Sequence, residues 1–396
     1  MIKAIHIFHH NDLDGRLSAA LLYQYFKKHR REYNKTIMHE VNYSNDIDLD
    51  VIPTDDVIAF VDFSFSEDKN WNTFISCAEL KLNPMIWIDH HKSSENRFDY
   101  FRNKMAQSSD AASDFMYDRM DCDKESAVFY YSSDTLEVFY TQGYCATVGV
   151  WLWCNGKINN NRDFLDVSNA NLTKLVKYAD SYDLWKMNQP NTIQFNYGMI
   201  NITTNPKKML AEMGFPTDID FFDASNKKYC IEEDKIIECI ISEGEIVDKY
   251  VQNHNEFLRR CTSIKFLIKH KDRLLTGIAM NSPGNSLMFG PEYDAYHVVV
   301  PFYMTSEGTW KYSMFAKDDP KECDYFFDCG DVAEILGKLS IGCNGGGHAQ
   351  AAGFVLSKQI LRPYCEIEIR QSLFGKYYIR ITYRDENGKT KMDIYE

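Results

Sequence analysis

Three apolar runs in this chain stop abruptly at acids and imidazoles, and that repeat limits what it can fold into. Ala4-Ile5-His6-Ile7-Phe8 runs into His9-His10-Asn11-Asp12-Leu13-Asp14-Gly15. Val57-Ile58-Ala59-Phe60-Val61 runs into Asp62, and Pro84-Met85-Ile86-Trp87-Ile88 runs into Asp89-His90-His91-Lys92. Each reads as a buried strand of an open α/β sheet, where ligands bind beyond the carboxyl ends of the strands. Three strand ends therefore deliver carboxylates and imidazoles to one edge. That pattern points to a metal site.

The rest of the chain alternates in the way such a sheet requires. Leu17 to Phe26 keeps helical apolar spacing and ends at Lys27, Lys28, Arg30 and Arg31, which complement the helix dipole. Asp46 to Thr54 reads as an acidic loop, and Gln107 to Tyr131 as a polar surface insertion. Cys145 to Trp153 reads as a buried helix and Leu172 to Trp185 as another helical run. Asn191 to Asp223 begins irregularly, and Ile231 to Arg260 is a long amphipathic helix of mixed charge. From Thr262 the period switches to strands, followed by a short helix from Val332 to Leu339 and then Gly345-Gly346-Gly347-His348. A final hairpin turns at Asp385-Glu386-Asn387-Gly388. The expected fold is α/β, with a parallel-sheet first domain, a smaller mixed-sheet second domain, and the site in the cleft between them.

Composition narrows the function. At 396 residues the chain is too long for one core. A formal net charge of -13 argues against a broad electrostatic grip on long nucleic acid, although bound cations would reverse the local sign for a short phosphate substrate. The 11 cysteines form no Cys-x-x-Cys pair, and no apolar run is long enough to span a bilayer. A reduced, cytoplasmic protein with no membrane partner is expected.

The motifs have ordinary readings beside the chemical ones. Asp12-Leu13-Asp14-Gly15 could be a helix-capping turn, but His10 completes the ligand set of a hydrolytic metal. Asp62 alone is a weak signal. In Asp89-His90-His91, one imidazole can ligate while the other reaches a phosphate, with Asp89 orienting a ring. Asp180 and Asp183 lie at the end of a helical run, and either could be a ligand or a surface acid. Gly345, Gly346 and Gly347 before His348 fit a phosphate cradle opening a small-residue helix, with a flexible turn as the alternative.

Taken together these motifs resemble the DHH/DHHA1 phosphoesterase superfamily. The His9-to-Gly15 segment is similar to its first motif, Val61-Asp62 to its second, Asp89-His90-His91 to the one that names it, and Asp180 to the acid of its fourth. Gly345 to His348, continuing to Ala351-Ala352-Gly353, is similar to the DHHA1 signature. The Asn-Asp-Leu-Asp-Gly form and the Tyr-Asp-Leu-Trp context look closest to the nanoRNase branch, which degrades very short RNA. The resemblance implies a DHH domain over 1–190 and a DHHA1 domain over 262–358, and the residue pattern adds a helical linker over 191–261 and a β extension over 359–396. It implies two manganese ions, with magnesium or cobalt able to replace them. They would be held by His10, Asp12, Asp14, Asp62, His90 and Asp180, with His9 and Asp183 as alternatives to His10 and Asp180. Asp62 or Asp180 would bridge them. Asp89 and His91 would act at the scissile phosphate, while His348, with Lys317 as an alternative grip, and the glycines would hold the substrate.

The implied substrate is a short oligonucleotide or nucleotide rather than long duplex, and a homodimer is compatible with the sequence. Cyclic dinucleotides and nucleoside 3′,5′-bisphosphates are alternative substrates. A catalytically degenerate nucleotide sensor is the alternative from another class.

Overall fold

The computed structural model describes residues 3–42, 45–65, 68–80, 83–107, 116–122, 126–159, 166–167, 170–216, 221–222, 227–270, 273–316, 327–339, 345–347, 349–371 and 377–395. The chain divides into two compact units, 1–248 and 249–396.

The first unit runs β1 (Lys3–His10), α1 (Leu13–His29), β2 (Tyr33–Val41), β3 (Val57–Val61), α2 (Asp68–Glu79), β4 (Met85–Asp89), α3 (Lys92–Gln107), β5 (Met116–Asp121), β6 (Ala127–Ser132), β7 (Leu136–Gln142) and α4 (Ala146–Asn159). It continues through α5 (Lys174–Asp183), α6 (Thr192–Met199), α7 (Pro206–Glu212) and α8 (Lys227–Thr262), and α8 itself crosses the division. Seven strands pair in the order β2-β1-β3-β4-β7-β6-β5. The first five are parallel, and β6 and β5 are antiparallel.

Every residue of β3 and β4 is buried, as a strand covered on both faces requires. One face packs against α1, α4 and α5 through residues such as Leu17, Val148 and Leu175. The other holds an aromatic layer of Phe60, Phe63, Phe65, Trp71, Phe74, Trp87, Phe98 and Phe101. Within this layer Trp87 Nε1 donates to Phe63 O at 2.9 Å, so its polar edge is satisfied. Residues 191–248 belong to this unit, and Phe195, Met199, Ile237 and Ile240 join its core.

Strand order reverses beside β1: β2 lies on one side and β3 on the other. That makes the carboxyl ends of β1 and β3 a topological switch point, the position at which open α/β sheets bind ligands.

The segment read as a surface insertion is partly sheet. Met116–Asp121 and Ala127–Ser132 are strands, and Ala127 to Tyr131 is buried. The polar residues around them hid a short apolar run whose burial depends on pairing with β7.

The second unit comprises β8 (Ser263–His270), β9 (Arg273–Asn281), β10 (Val298–Met304), β11 (Trp310–Ala316), α9 (Cys329–Gly337), β12 (Gly345–Gly347), β13 (Ala351–Leu356), β14 (Glu366–Gln371), β15 (Tyr377–Arg384) and β16 (Thr390–Tyr395). They form a mixed sheet in the order β12-β13-β11-β10-β9-β8-β14-β15-β16. The turn between β15 and β16 is closed by Asp385 N donating to Lys389 O at 2.9 Å, with Gly388 at φ 72°.

The expected helix after the glycine run is instead the strand Ala351–Leu356, and Gly345–Gly347 pairs antiparallel with it. A Cβ on Gly345 would lie 2.0 Å from Ala333 O on α9, so close packing explains at least this glycine. Among the described residues no helix is long and apolar enough to cross a membrane.

Candidate metal centre

The site assembles from strand ends of the first unit. β1 ends at His10, and Asp12 caps α1 by accepting from Gly15 N at 2.9 Å. Gly15 is required here, since a Cβ would lie 2.5 Å from His10 O. β3 ends at Val61 and is followed by Asp62, which takes a left-handed φ of 54° while its N–H donates to Ile88 O. A non-glycine residue in that region is costly and marks a place where the surroundings impose the conformation. β4 ends at Asp89, followed by His90 and His91.

Three groups of side chains place their ligand atoms within 4.8 Å of one another: His10, Asp12 and Asp62; Asp62, Asp89, His90 and His91; and Asp14, His90 and Asp183. Asp62 and His90 each belong to two groups, so the three form one connected centre. His10 Nδ1 lies 2.7 Å from Asp12 Oδ2 and 3.9 Å from Asp62 Oδ2. His90 Nε2 lies 3.2 Å from Asp62 Oδ1, 3.5 Å from Asp183 Oδ2 and 3.7 Å from Asp14 Oδ2.

Asp14 is held rigidly, because Ala146 N and Thr147 N at the start of α4 donate to its two oxygens at 2.8 and 2.9 Å. His91 Nδ1 lies 2.7 Å from Asp89 Oδ1, and Ser94 Oγ donates to Asp89 Oδ2.

The charges are badly compensated. Burial, followed by the neighbouring Asp14 and Asp12 carboxylates, pushes both Asp62 and Asp183 well above the usual carboxylate range. Burial and the adjacent His91 push His90 down to about 4, which keeps it neutral and able to ligate. Burial opposes charge on His91 too, but Asp89 beside it wins and raises it to about 9. Asp89 is lowered in return, with His91 overcoming its burial. Asp12 is lowered as well, its burial outweighed by the contact with His10.

Among the described residues no lysine or arginine pairs with Asp12, Asp14, Asp62 or Asp183. Asp62 Oδ2 and Asp183 Oδ2 are buried without a hydrogen-bond partner. Buried acceptors left this way cost about 1–3 kcal/mol each. Hard carboxylate oxygens mixed with imidazole nitrogens suit manganese, magnesium or a similar divalent ion. The residues therefore fit such a cation.

Of the residues singled out in the sequence, His10, Asp12, Asp14, Asp62, Asp89, His90 and His91 come together. Asp183 joins them. Asp180 does not reach a ligand group: its Oδ1 accepts from Cys145 N at 3.0 Å and its Oδ2 from Lys186 Nζ at 2.6 Å. His9 is 1% exposed, and its Nδ1 lies 2.8 Å from His10 O. Gly345, Gly346 and Gly347 lie in β12 of the second unit, whereas His348 and Lys317 fall outside the described residues. Ser94, Lys186 and the N-terminus of α4 carried no local sequence signal, because their partners are defined only by the fold.

Residues 4–141 match the DHH family, N-terminal domain. Solved structures similar to the chain include an uncharacterized protein from Helicobacter pylori G27, at 14% identity over 91% of this chain and 95% of that one, with a TM-score of 0.32. Another is the DHH domain of PF0399, described as a member of the s1p family of ribosomal proteins, at 11% identity over 89% and 83%, with a TM-score of 0.45. A third is RecJ from Thermus thermophilus in complex with Mn2+, at 10% identity over 99% and 68%, with a TM-score of 0.42. No curated protein matches the chain.

Proposed function

We propose that this chain, whose residues 4–141 match the DHH-family N-terminal domain, is a metal-dependent phosphoesterase that hydrolyses phosphodiester bonds in very short oligonucleotides. The observation that carries the reading is the cluster of acids and imidazoles that follows β1, β3 and β4, in which Asp62 is shared between two ligand groups and Asp62 Oδ2 and Asp183 Oδ2 are buried without a partner. His10, Asp12, Asp14, Asp62, His90 and Asp183 are the residues that would hold the cations, Asp62 belonging to two of the ligand groups. When bound, a pair of divalent cations supplies a nucleophile from water at neutral pH and neutralises the charge on the phosphate.

The chain's own residues do the rest. Ala146 N and Thr147 N hold Asp14 in place, and the neutral ring of His90 presents Nε2 toward three carboxylates. Asp89 keeps His91 protonated, so its other nitrogen can donate to a phosphate oxygen. His348 and the glycines before it remain the proposed grip on the rest of the substrate.

Short substrates are favoured by charge. The concentrated basic stretch Lys27, Lys28, Arg30 and Arg31 lies at the far end of α1 from Asp12. With 17 residues in that helix, the separation is about 25 Å, so these cations do not line the metal centre. The net charge of -13 points the same way.

The test is hydrolysis of four labelled substrates with Mn2+ and with chelator: an RNA dinucleotide, a single strand of about 20 nucleotides, a cyclic dinucleotide and a nucleoside 3′,5′-bisphosphate. Rapid Mn2+-dependent loss of the dinucleotide with the long strand intact is expected. Preference for the cyclic compound or the bisphosphate would keep the chemistry and replace the substrate. No turnover of any substrate with any divalent metal would overturn the enzyme reading.

A further inference from the structure

Asp180 and Asp183 lie one turn apart at the end of α5, but they are put to different uses. Asp183 reaches the ligand group of Asp14 and His90. Asp180 is turned to the start of α4, where its Oδ1 accepts from Cys145 N at 3.0 Å. The next two N–H groups of that turn, on Ala146 and Thr147, hold Asp14 at 2.8 and 2.9 Å. Three successive donors at one helix N-terminus therefore bind two carboxylates, one inside the metal centre and one outside it. Thr147 adds a fourth link, donating from Oγ1 to Asp14 O at 3.2 Å.

Lys186 ties this arrangement together. Its Nζ donates to Asp180 Oδ2 at 2.6 Å and to Gly143 O at 2.7 Å, and it sits 4.7 Å from the centroid of the Tyr144 ring. It thus bridges the acid on α5 to the turn that begins α4. The residues on either side of it, Trp185 and Met187, both have left-handed φ, at 55° and 49°. Two non-glycine residues stay in that sparsely populated region only where their surroundings over-determine it. Here the surroundings are Trp185 N donating to Tyr182 O at 3.0 Å and Met187 N donating to Ser181 O at 3.1 Å. The strained loop delivers one ammonium group to one place.

We propose that Lys186 is a positioning residue: through Asp180 it fixes the start of α4 and thereby Asp14, setting the spacing of Asp14 and Asp183 that a divalent cation needs. The inference rests on the metal reading above and goes beyond it, since neither Asp180 nor Lys186 is a ligand in it. Because the pair is internally neutral, its contribution is geometric rather than electrostatic attraction. Supporting partners of this kind typically change metal affinity 10–100-fold.

The test is titration of the full-length protein with Mn2+, following free Mn2+ by electron paramagnetic resonance, with thermal unfolding as the check on folding. Lys186→Arg, which keeps the charge and offers an N–H to each of the two acceptors, is expected to bind as the wild type does. Asp180→Asn/Lys186→Met, which removes the link without changing net charge, is expected to bind at least about tenfold more weakly while still folded.

Wild-type affinity in the double variant would overturn the proposal. Should that variant not fold, Lys186→Met alone decides. Loss of a cation beside a cation site raises affinity by charge, so a fall in affinity reports lost positioning and a rise overturns it. A wild-type protein that binds no Mn2+ would instead sink the metal reading itself.

Discussion

Both units bury acids, but they satisfy them differently. In the second unit Glu368, 5% exposed on β14, is met by three cations. Arg380 pairs with it across β15, Lys269 lies 3.3 Å away on β8, and Arg370 lies 2.7 Å away on its own strand. These contacts hold Glu368 below the usual carboxylate range despite its burial. In the first unit Asp14 and Asp62 are 2% and 1% exposed, no lysine or arginine among the described residues pairs with them, and the imidazole they share, His90, is discharged by burial.

A folded chain that leaves negative charge uncompensated in one place, while pairing it thoroughly in another, reserves the first place for something outside itself. Asp180 follows the same rule from the other side. It has its own lysine, and it stands outside the ligand groups.

The comparison breaks most visibly at Asp62. Asparagine tolerates its left-handed backbone and keeps its shape while removing the charge. Excess Mn2+ at about 100 times its dissociation constant should stabilise the wild type by about 2.7 kcal/mol, roughly 5–10 °C in unfolding temperature. Asp62→Asn should lose that shift and at least about 100-fold in hydrolysis. In chelator it should be no less stable than the wild type, because the carboxylate it removes is one the apo fold opposes. A large stability loss in chelator would mean that Asp62 is paired after all.

Glu368→Gln sharpens the contrast from the paired side. It should destabilise the second unit by about 1–3 kcal/mol, below the usual cost of breaking a buried pair because its cations are a third exposed or more. Metal affinity should not change. The lowered carboxyl also fixes the sign with pH. Its contribution is present above the unfolded value near 4.5 and is lost as acid protonates the folded group. Urea unfolding of wild type and variant at neutral and acid pH reads both effects.

What the sequence made legible follows the same division. The acids at the ends of β1, β3 and β4 announce themselves because each sits directly after its own apolar run. The compensation around Glu368 does not, since Lys269 is far away in the chain and reaches it only through strand order. Asp180 and Asp183 could not be separated for a related reason. They share one helix face, and which of them meets His90 depends on how α5 docks against α4. That Gly345 of β12 packs against the carbonyl of Ala333 was not legible either, because α9 and β12 meet only in the fold.

A third treatment of buried charge lies between these two, on β1 and β2. His6 Nδ1 lies 3.0 Å from His39 Nε2, and the His39 ring stacks on Phe8 at 4.3 Å between centroids. Burial, then the charges of His6 and His9, lowers His39 to about 4, so the fold keeps it neutral rather than pairing it with an acid. The unfolded chain protonates this ring near 6.5, whereas the folded one resists until about 4. Its contribution to stability is therefore complete above pH 6.5 and drains away as pH falls toward 4.

His39→Gln keeps a donor toward His6 and removes the titration. Between pH 7 and 4.5 the wild type should lose more unfolding free energy than the variant, by on the order of 1 kcal/mol, less than the full linkage because the ring is only part-buried. His6, His9 and His90 are lowered as well and keep titrating in both proteins, so the difference between the two curves reports His39 together with its coupling to His6 and His9. Parallel curves would mean that His39 takes up its proton in the fold as readily as in the unfolded chain, so that neither its burial nor the neighbouring imidazoles oppose its charge.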